Sequence, residues 1–495
     1  MQEDRNQLIE KTRKEDERSD LKQHADGMLR DFEKFNKNSS NRAIWELVQN
    51  ACDLTTHCRI EIDYRDNKFS FSHNGKAFTT KTLISLVKQV SGKYGDEDIP
   101  EVGKYGTGFL TTHTFGRKFK LNSFLDAGGY YLPIKDFEID RTPKIWQDLS
   151  DNISDQKKRV YDLLKEESAV EVSDLKTTFT YLPQSDKELE YIKESSKYLD
   201  DYIPLVFTIN NRLKEVVIRQ ENGVTDTYRF HNKKKIENDK GIDLHQSILL
   251  KNDEEIHLYS IRDEEEEIEI ILPINKNNEV IQFNEKIARL FYYYPLIGSE
   301  DFGLNFIINC NKFLPTEPRD TIHLKSDKDQ VKADEEANRL IIEKCSNLIF
   351  SFLESNIIEV NNPLLYTNVN LKTVSDDNFL NEYFKELSIK WNSKLSELPF
   401  VKTNDGYKPI SSVSYLSDDF LNPEGDLFDC FYELISKFYS NIPVKEDITK
   451  WSEHAINWNN ETTVFITHND LLEKISECSL QDFDEALELL HLTGQ

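Results

Sequence analysis

IWELVQNACDL, residues 44–54, is the stretch on which the reading of the fold turns. Glu46 and Asn50 are four apart and Asn50 and Asp53 three apart, so on an α-helix all three project from one face. Ile44, Leu47, Val48, Ala51 and Leu54 supply an apolar remainder. Just upstream, Ser39-Ser40-Asn41 offers an N-cap and predicts a helix from Arg42 to about Leu54. A surface helix tolerates such polar residues without any function, so the segment needs its surroundings.

Downstream, Arg59–Tyr64 (RIEIDY) and Lys68–Ser72 (KFSFS) alternate around Asp66-Asn67, which predicts a hairpin. Its second strand runs into FSHNGKAF, residues 71–78, where Gly75 suits a positive φ. Thr79 and Thr80 can cap a helix to about Ser91. A polar stretch from Gly92 ends in Gly103-Lys-Tyr-Gly-Thr-Gly108. Its glycines leave backbone N–H groups uncovered and a helix can begin just after them, a geometry that cradles phosphate oxygens. It lacks the GK[ST] ending of a P-loop and follows the wrong element for a dinucleotide fold. FKLNSF (119–124), a helical insert near 144–168 and a strand at Thr177–Leu182 follow.

ExxxNxxD on a helix, a strand ending xNGxxF and then GxxGxGF, in that order, closely resemble the GHKL (Bergerat-fold) ATPase superfamily. That group includes heat-shock protein 90, gyrase B subunits, MutL, MORC proteins and histidine kinases. The resemblance covers roughly residues 20–185, and the wording is most similar to the prokaryotic sacsin-type, heat-shock-90-like ATP-binding proteins. It implies ATP and Mg²⁺ as ligands. Asn50 resembles the Mg²⁺-binding asparagine, Glu46 the general base that deprotonates the attacking water, and Asp53 the residue near base and sugar. Asn74 and Gly75 resemble the turn under the nucleotide. Gly103, Gly106, Thr107, Gly108 and Phe109 resemble the phosphate loop, with Lys104 as a point charge. Residues 79–105 would form a lid that contains Lys93. Thr177, or Thr178 one step on, resembles the threonine that helps hold adenine. Two positions depart from the pattern. His73 replaces the aspartate that accepts the adenine amino group, and a neutral imidazole accepts there in only one tautomer. Base recognition is therefore expected to be weaker, pH-dependent or water-mediated. Ala77 replaces the second glycine.

Beyond residue 200, IPLVFTINN (203–211), EVVIRQ, EEIEIILPI and LNFIINCNKF read as strands, and Glu285–Phe291 and Glu335–Leu353 as helices. LNFIINCNKFLPTEPRD resembles the segment from which heat-shock-90-like and MutL-like proteins send a basic residue to the γ-phosphate, which implies Arg319 as the candidate cation and Lys312 as the alternative. From about 355 helical patterns dominate, interrupted by the strand-like LPFVKTNDGYKPI. The expected fold class is α+β. A Bergerat α/β sandwich (1–198) precedes a transducer-like α/β middle domain (199–354) and a mainly helical C-terminal region (355–495).

The bulk composition narrows the function classes. With 62 basic against 89 acidic residues and a net charge of −27, the surface repels phosphate backbones and disfavours nucleic acid as the main partner. Lys233-Lys234-Lys235 and Asp263–Glu267 read as solvated turns. The six cysteines show no CxxC or zinc spacing and read as free thiols of a reducing cytosol. Residues 1–38 read as a charged helix or two with no signal-peptide h-region, and no apolar window spans a membrane. A cytoplasmic location is expected. His24 lacks a phosphoacceptor setting, which argues against a histidine kinase. The leading expectation is a slow ATPase whose lid closure acts on a protein partner or homodimer. The alternative is a non-hydrolysing ATP/ADP sensor. By family analogy alone, stand-alone prokaryotic proteins of this kind resemble phage-defence components.

Overall fold

The computed structural model describes residues 2–88, 108–166, 168–172, 174–316, 319–324, 332–371, 378–421, 427–458 and 463–477. In chain order its elements begin with helices α1 (Gln2–Glu33) and α2 (Lys37–Asp53), strands β1 (Cys58–Asp63), β2 (Phe69–His73) and β3 (Phe78–Thr79), and helix α3 (Thr80–Lys88). A 3-10 turn at Gly108–Phe115 leads to β4 (Lys118–Asp126), β5 (Tyr131–Asp140), α4 (Trp146–Glu166), β6 (Thr177–Tyr181), α5 (Asp186–Ser196) and α6 (Leu199–Ile209). Then come β7 (Leu213–Arg219), β8 (Thr225–Ile236), β9 (Asp243–Lys251), β10 (Glu254–Asp263), β11 (Ile268–Leu272), β12 (Leu290–Tyr292), β13 (Tyr294–Pro295), β14 (Phe302–Leu304), β15 (Ile307–Cys310) and α7 (Ala333–Ser355). The remainder is largely helical, with short strand pairs.

The expected α+β class holds. One mixed, 14-stranded sheet runs β13-β12-β15-β11-β10-β9-β8-β7-β1-β2-β6-β4-β3, with β5 on the other edge of β4. The β1–β2 hairpin forms as its alternation predicts, closed by Asp66 and Asn67 at φ 60° and 53°. The unforeseen join is β1 with β7, a parallel pair that carries the sheet across residue 199. In its first half the sheet is one-sided. Ile60, Ile62, Phe69, Phe71, Phe119 and Phe179 point to the core while Glu61, Ser70, Ser72 and Thr178 point away, the alternation of a half-solvated antiparallel sheet. In its second half Ile271 joins the same core as α2, whereas Ile268, Ile270 and Leu272 join a second core with Ile342, Ile349 and Trp391.

Several local expectations are corrected. The α2 cap lies at Asn36, whose Oδ1 accepts from Ser39 N at 3.0 Å while Ser39 Oγ accepts from Asn36 N at 3.3 Å. This reciprocal box satisfies two orphan donors at once, which Ser39-Ser40-Asn41 as caps would not. Residues 199–209 form a helix where IPLVFTINN reads as a strand. Leu199 and residues 202–208 are all buried, so no polar stripe betrays the period, and Asp200 and Asp201 favour the first turn. Glu285–Phe291 is not helical. Buried Arg289 donates to the carbonyls of Asn284, Ile287 and Leu304, and its neighbour Leu290 starts a strand parallel to β15.

Lys233 lies on β8, not in a solvated turn. Its Nζ is 2.5 Å from buried Glu269, which also accepts from Arg262 at 2.9 Å and Ser260 at 2.8 Å. The Asp263–Glu267 turn does form, and Glu266 within it pairs with Lys344 at 2.6 Å. Cys52, Cys58, Cys310 and Cys345 are free and buried. In the last third, α8 (Asn378–Ser396) precedes the strand-like stretch LPFVKTNDGYKPI, which forms a hairpin of Val401–Thr403 with Gly406–Lys408. An unanticipated parallel pair joins Ser414–Leu416 to Val464–Ile466. No helix among the described residues is long and apolar enough to cross a membrane.

Candidate functional site

The α2 helix lies against the 3-10 turn, α5 and the core face of the sheet, with Ile44, Trp45, Leu47, Val48 and Ala51 buried. Its remaining side carries a stripe at helical spacing: Arg42, Glu46, Gln49, Asn50 and Asp53. The helix is the ruler that fixes their separation; what surrounds them comes from three distant parts of the chain.

Gly108 is the first of these. A Cβ built on it would lie 2.0 Å from Oε2 and 2.5 Å from Cδ of Glu46. The last glycine of GKYGTG is therefore the floor on which the Glu46 carboxylate rests, and only an absent side chain leaves that room. Gly103, Lys104, Gly106, Thr107 and the lid residue Lys93 lie outside the described residues. Of residues 79–105, the stretch expected to form a lid, 79–88 are described, and there Thr79 caps α3 in a reciprocal box with Thr82. At its other end, the Val87 carbonyl accepts from buried Arg141, and the Lys88 carbonyl takes the His24 Nε2.

Arg319 is the second arrival. It sits 270 residues along the chain from Gln49, yet its Nη1 donates to Gln49 Oε1 at 3.5 Å. Its guanidinium also lies 5.9 Å from the Tyr292 ring centroid. The backbone there is left-handed, φ 67°, and Arg319 N donates to Thr316 O at 2.5 Å. A non-glycine residue held at positive φ points to a surrounding structure that dictates the turn. Lys312, the alternative cation, is elsewhere: it donates to the Glu265 carbonyl at 2.6 Å and pairs with Glu266.

Two further residues complete the stripe, and the sequence reading overlooked both. Arg42 is half-buried. Burial lowers its pKa, the Glu46 and Asp320 carboxylates oppose that, and the Arg319 guanidinium reinforces it. Arg42 Nε and Gln49 Nε2 are buried donors with no hydrogen-bond partner among the described residues. Arg42 was visible in the sequence as the residue one turn before Glu46. Gln49 was hidden because nothing in its spacing separates it from an ordinary surface glutamine. Two unclaimed N–H donors and a second guanidinium beside one carboxylate make a place that accepts an oxyanion and sets a base next to it.

The other end of the site is built on the sheet. Asp53 is buried, with Arg212 Nη1 3.8 Å from its Oδ1. Asn74 braces the hairpin: Oδ1 accepts from Arg59 N at 2.8 Å and Nδ2 donates to the His57 carbonyl at 3.0 Å. His73 and Thr177 face each other across the β2–β6 ladder, both on the core face. Thr178 pairs with Ser72 on the opposite face at 2.9 Å, so of the two threonines Thr177 is the one beside His73. The Thr177 hydroxyl is 2.7 Å from that of Ser123. Phe109 packs between the Phe119 and Phe179 rings at 6.1 and 5.6 Å.

His73 is held by its own turn. Gly75 N donates to its Nδ1 at 3.0 Å, and burial pulls its pKa down to about 4. A neutral ring that accepts at Nδ1 carries its proton on Nε2. Nδ1 is thereby taken within the turn itself. A scan against protein-family models finds no match for the chain, and a search of curated proteins finds none either.

Proposed function

We propose that the chain binds a nucleoside triphosphate with Mg²⁺, ATP in the proteins whose motifs it shares, and hydrolyses it slowly. The domain assignment that goes with this reading is a GHKL-type pocket in 1–198, a transducer-like middle part in 199–354 and a C-terminal part, 355–495, of unassigned role. The observation that carries it is the meeting on α2 of the Glu46 carboxylate, cradled by Gly108, with Arg319 and the unclaimed donors of Arg42 and Gln49. Buried donors without partners are costly unless a ligand takes them, and a terminal phosphoryl group offers the oxygens they lack.

In this reading Arg42, Gln49 and Arg319 bind phosphate oxygens and neutralise charge that builds during transfer. Glu46 holds the attacking water and takes its proton. Asn50 would hold Mg²⁺, which would supply further charge neutralisation at the phosphates. Because Arg319 belongs to the middle part and Arg42 to α2, ligand binding links two stretches of chain. That is how such a site would time a conformational cycle acting on a protein partner or a second copy. A role in prokaryotic phage defence rests on analogy alone.

Calorimetric titration of Mg²⁺-nucleotide into wild type and Asn50→Ala tests the binding step. Saturable binding that is Mg²⁺-dependent and lost in the variant is expected; equal binding by both would remove Asn50 from the site. Glu46→Ala should bind but not turn over. Unchanged turnover would sink the base assignment.

A further inference from the structure

A cavity of about 600 Å³ opens at the far end of the β1–β2 hairpin, between the hairpin turn, α5, the start of α6 and the β7–β8 turn. Tyr64 in its wall lies five residues beyond Arg59, on which Asn74 is braced, so about 16 Å of strand separates it from the candidate site. Helical spacing turns one face of α5 toward the cavity: Leu189, Ile192, Lys193 and, just past the helix end, Lys197. Leu199 and Ile218 extend the apolar floor, and Lys68 adds a third ammonium from the hairpin turn. Lys197 Nζ is 2.6 Å from Glu194, whereas Lys68 and Lys193 are exposed and form no ion pair among the described residues. On the facing wall Asp200 is taken by Lys251 at 3.0 Å and by the Tyr228 hydroxyl at 2.5 Å, which leaves exposed Glu221 to oppose the lysines. Tyr64 is only 7% exposed, and its hydroxyl is buried with no hydrogen-bond partner among the described residues. Burial pushes that phenol's pKa up, opposed by the Ser195 hydroxyl, whose own proton goes to the Ile192 carbonyl at 2.7 Å.

We propose that this cavity is a second ligand site, for a small organic anion with an apolar body. The apolar skeleton lies against Leu189, Ile192, Leu199 and Ile218, and the anionic head meets Lys68 and Lys193 and accepts from the Tyr64 hydroxyl. The volume falls within the range of small-molecule sites, about 300–1,000 Å³. Burial of apolar surface draws the skeleton in, and the charge selects the head. A buried hydroxyl left unmatched is costly, and a charged acceptor answers it with a stronger bond than a neutral one. A cationic mouth also stands out on a chain of net charge −27, whose surface at large turns anions away. The inference does not depend on the nucleotide reading, because its residues are at the other end of the hairpin.

The test is fluorescence titration of the full chain with two dyes, the anionic anilinonaphthalenesulfonate and the neutral phenylnaphthylamine, which share one ring system and differ in the sulfonate. The sulfonate dye is expected to bind saturably at one site. The double variant Lys68→Glu/Lys193→Glu should weaken it on the order of tenfold and leave the neutral dye unchanged. Tyr64→Phe, which removes only the hydroxyl, should weaken the sulfonate dye severalfold. Leu189→Trp, which fills the cavity from its half-buried wall, should weaken both dyes. Absence of saturable binding overturns the inference, and so does a sulfonate-dye affinity that any of these variants leaves unchanged. Equal weakening of both dyes by the lysine pair overturns the choice of an anion. Should Leu189→Trp fail to fold, the exposed lysine pair and Tyr64→Phe decide by the same outcomes.

Discussion

Replacing Gly108 by Ala inserts one methyl group into the space occupied by the Glu46 carboxylate. The new Cβ would stand 2.0 Å from Oε2, 2.5 Å from Cδ and 2.8 Å from Oε1. Carbon–oxygen contacts relax only beyond about 3.4 Å, so the carboxylate must retreat by roughly 1.4 Å. Gly108 is not in the left-handed region, so alanine meets no backbone strain. The side chain of Glu46 is flexible, and rotation off its preferred rotamer costs about 0.5–1.5 kcal/mol. Unfolding free energy should therefore fall by about 1 kcal/mol. Turnover should fall far more: misplacing a catalytic group by about 1 Å costs on the order of 10²-fold. Urea unfolding and phosphate release measured on the same preparations separate the two effects. In a Glu46→Ala background the clash is gone, so Gly108→Ala should be nearly silent, a coupling of about 1 kcal/mol in the cycle. Additive stabilities together with unchanged turnover would refute the placement of Glu46 over Gly108.

Acidification should destabilise the fold through buried histidines. Burial draws His113 down to about 3 and His73 and His454 to about 4, below the unfolded value near 6.5. A lowered folded pKa gives stability that is complete above about pH 6.5 and is lost as pH falls toward those values. His113 alone should cost about 2–3 kcal/mol between pH 6.5 and 4.5, and His113→Phe should flatten urea midpoints over that window; an unchanged slope refutes this. Lys233→Met strands Glu269 in the core with Arg262 as its remaining cation and should cost about 3–5 kcal/mol in urea unfolding, whereas exposed Lys234→Met should leave the midpoint in place. Arg319→Ala should slow turnover on the order of 10²-fold, and Lys312→Ala should leave it unchanged; the opposite pattern in phosphate release would exchange their roles.

Local chemistry was legible wherever a pattern repeats within one element. Glu46, Asn50 and Asp53 share a face because 3.6 residues make a turn, and that holds whatever the helix touches. The β1–β2 hairpin follows from alternation around Asp66-Asn67, and the Thr79 cap from its own side chain. Where burial removes polarity the period disappears from view, as in α6, whose residues 202–208 are all buried. Lys233 looked like part of a basic run because its partner Glu269 is 36 residues away on another strand.

The sequence by itself determined the α+β class, the polar stripe of α2 and the order of hairpin, turn and glycine loop, because each depends on residues within a few positions of one another. Only the tertiary structure decided that Arg319 and not Lys312 reaches α2, that Thr177 and not Thr178 stands opposite His73, and that His73 Nδ1 is already engaged by the Gly75 N–H. These depend on which strand pairs with which, in what register, and on which N–H claims which nitrogen. Such contacts join residues up to 270 positions apart, and no spacing along the chain records them.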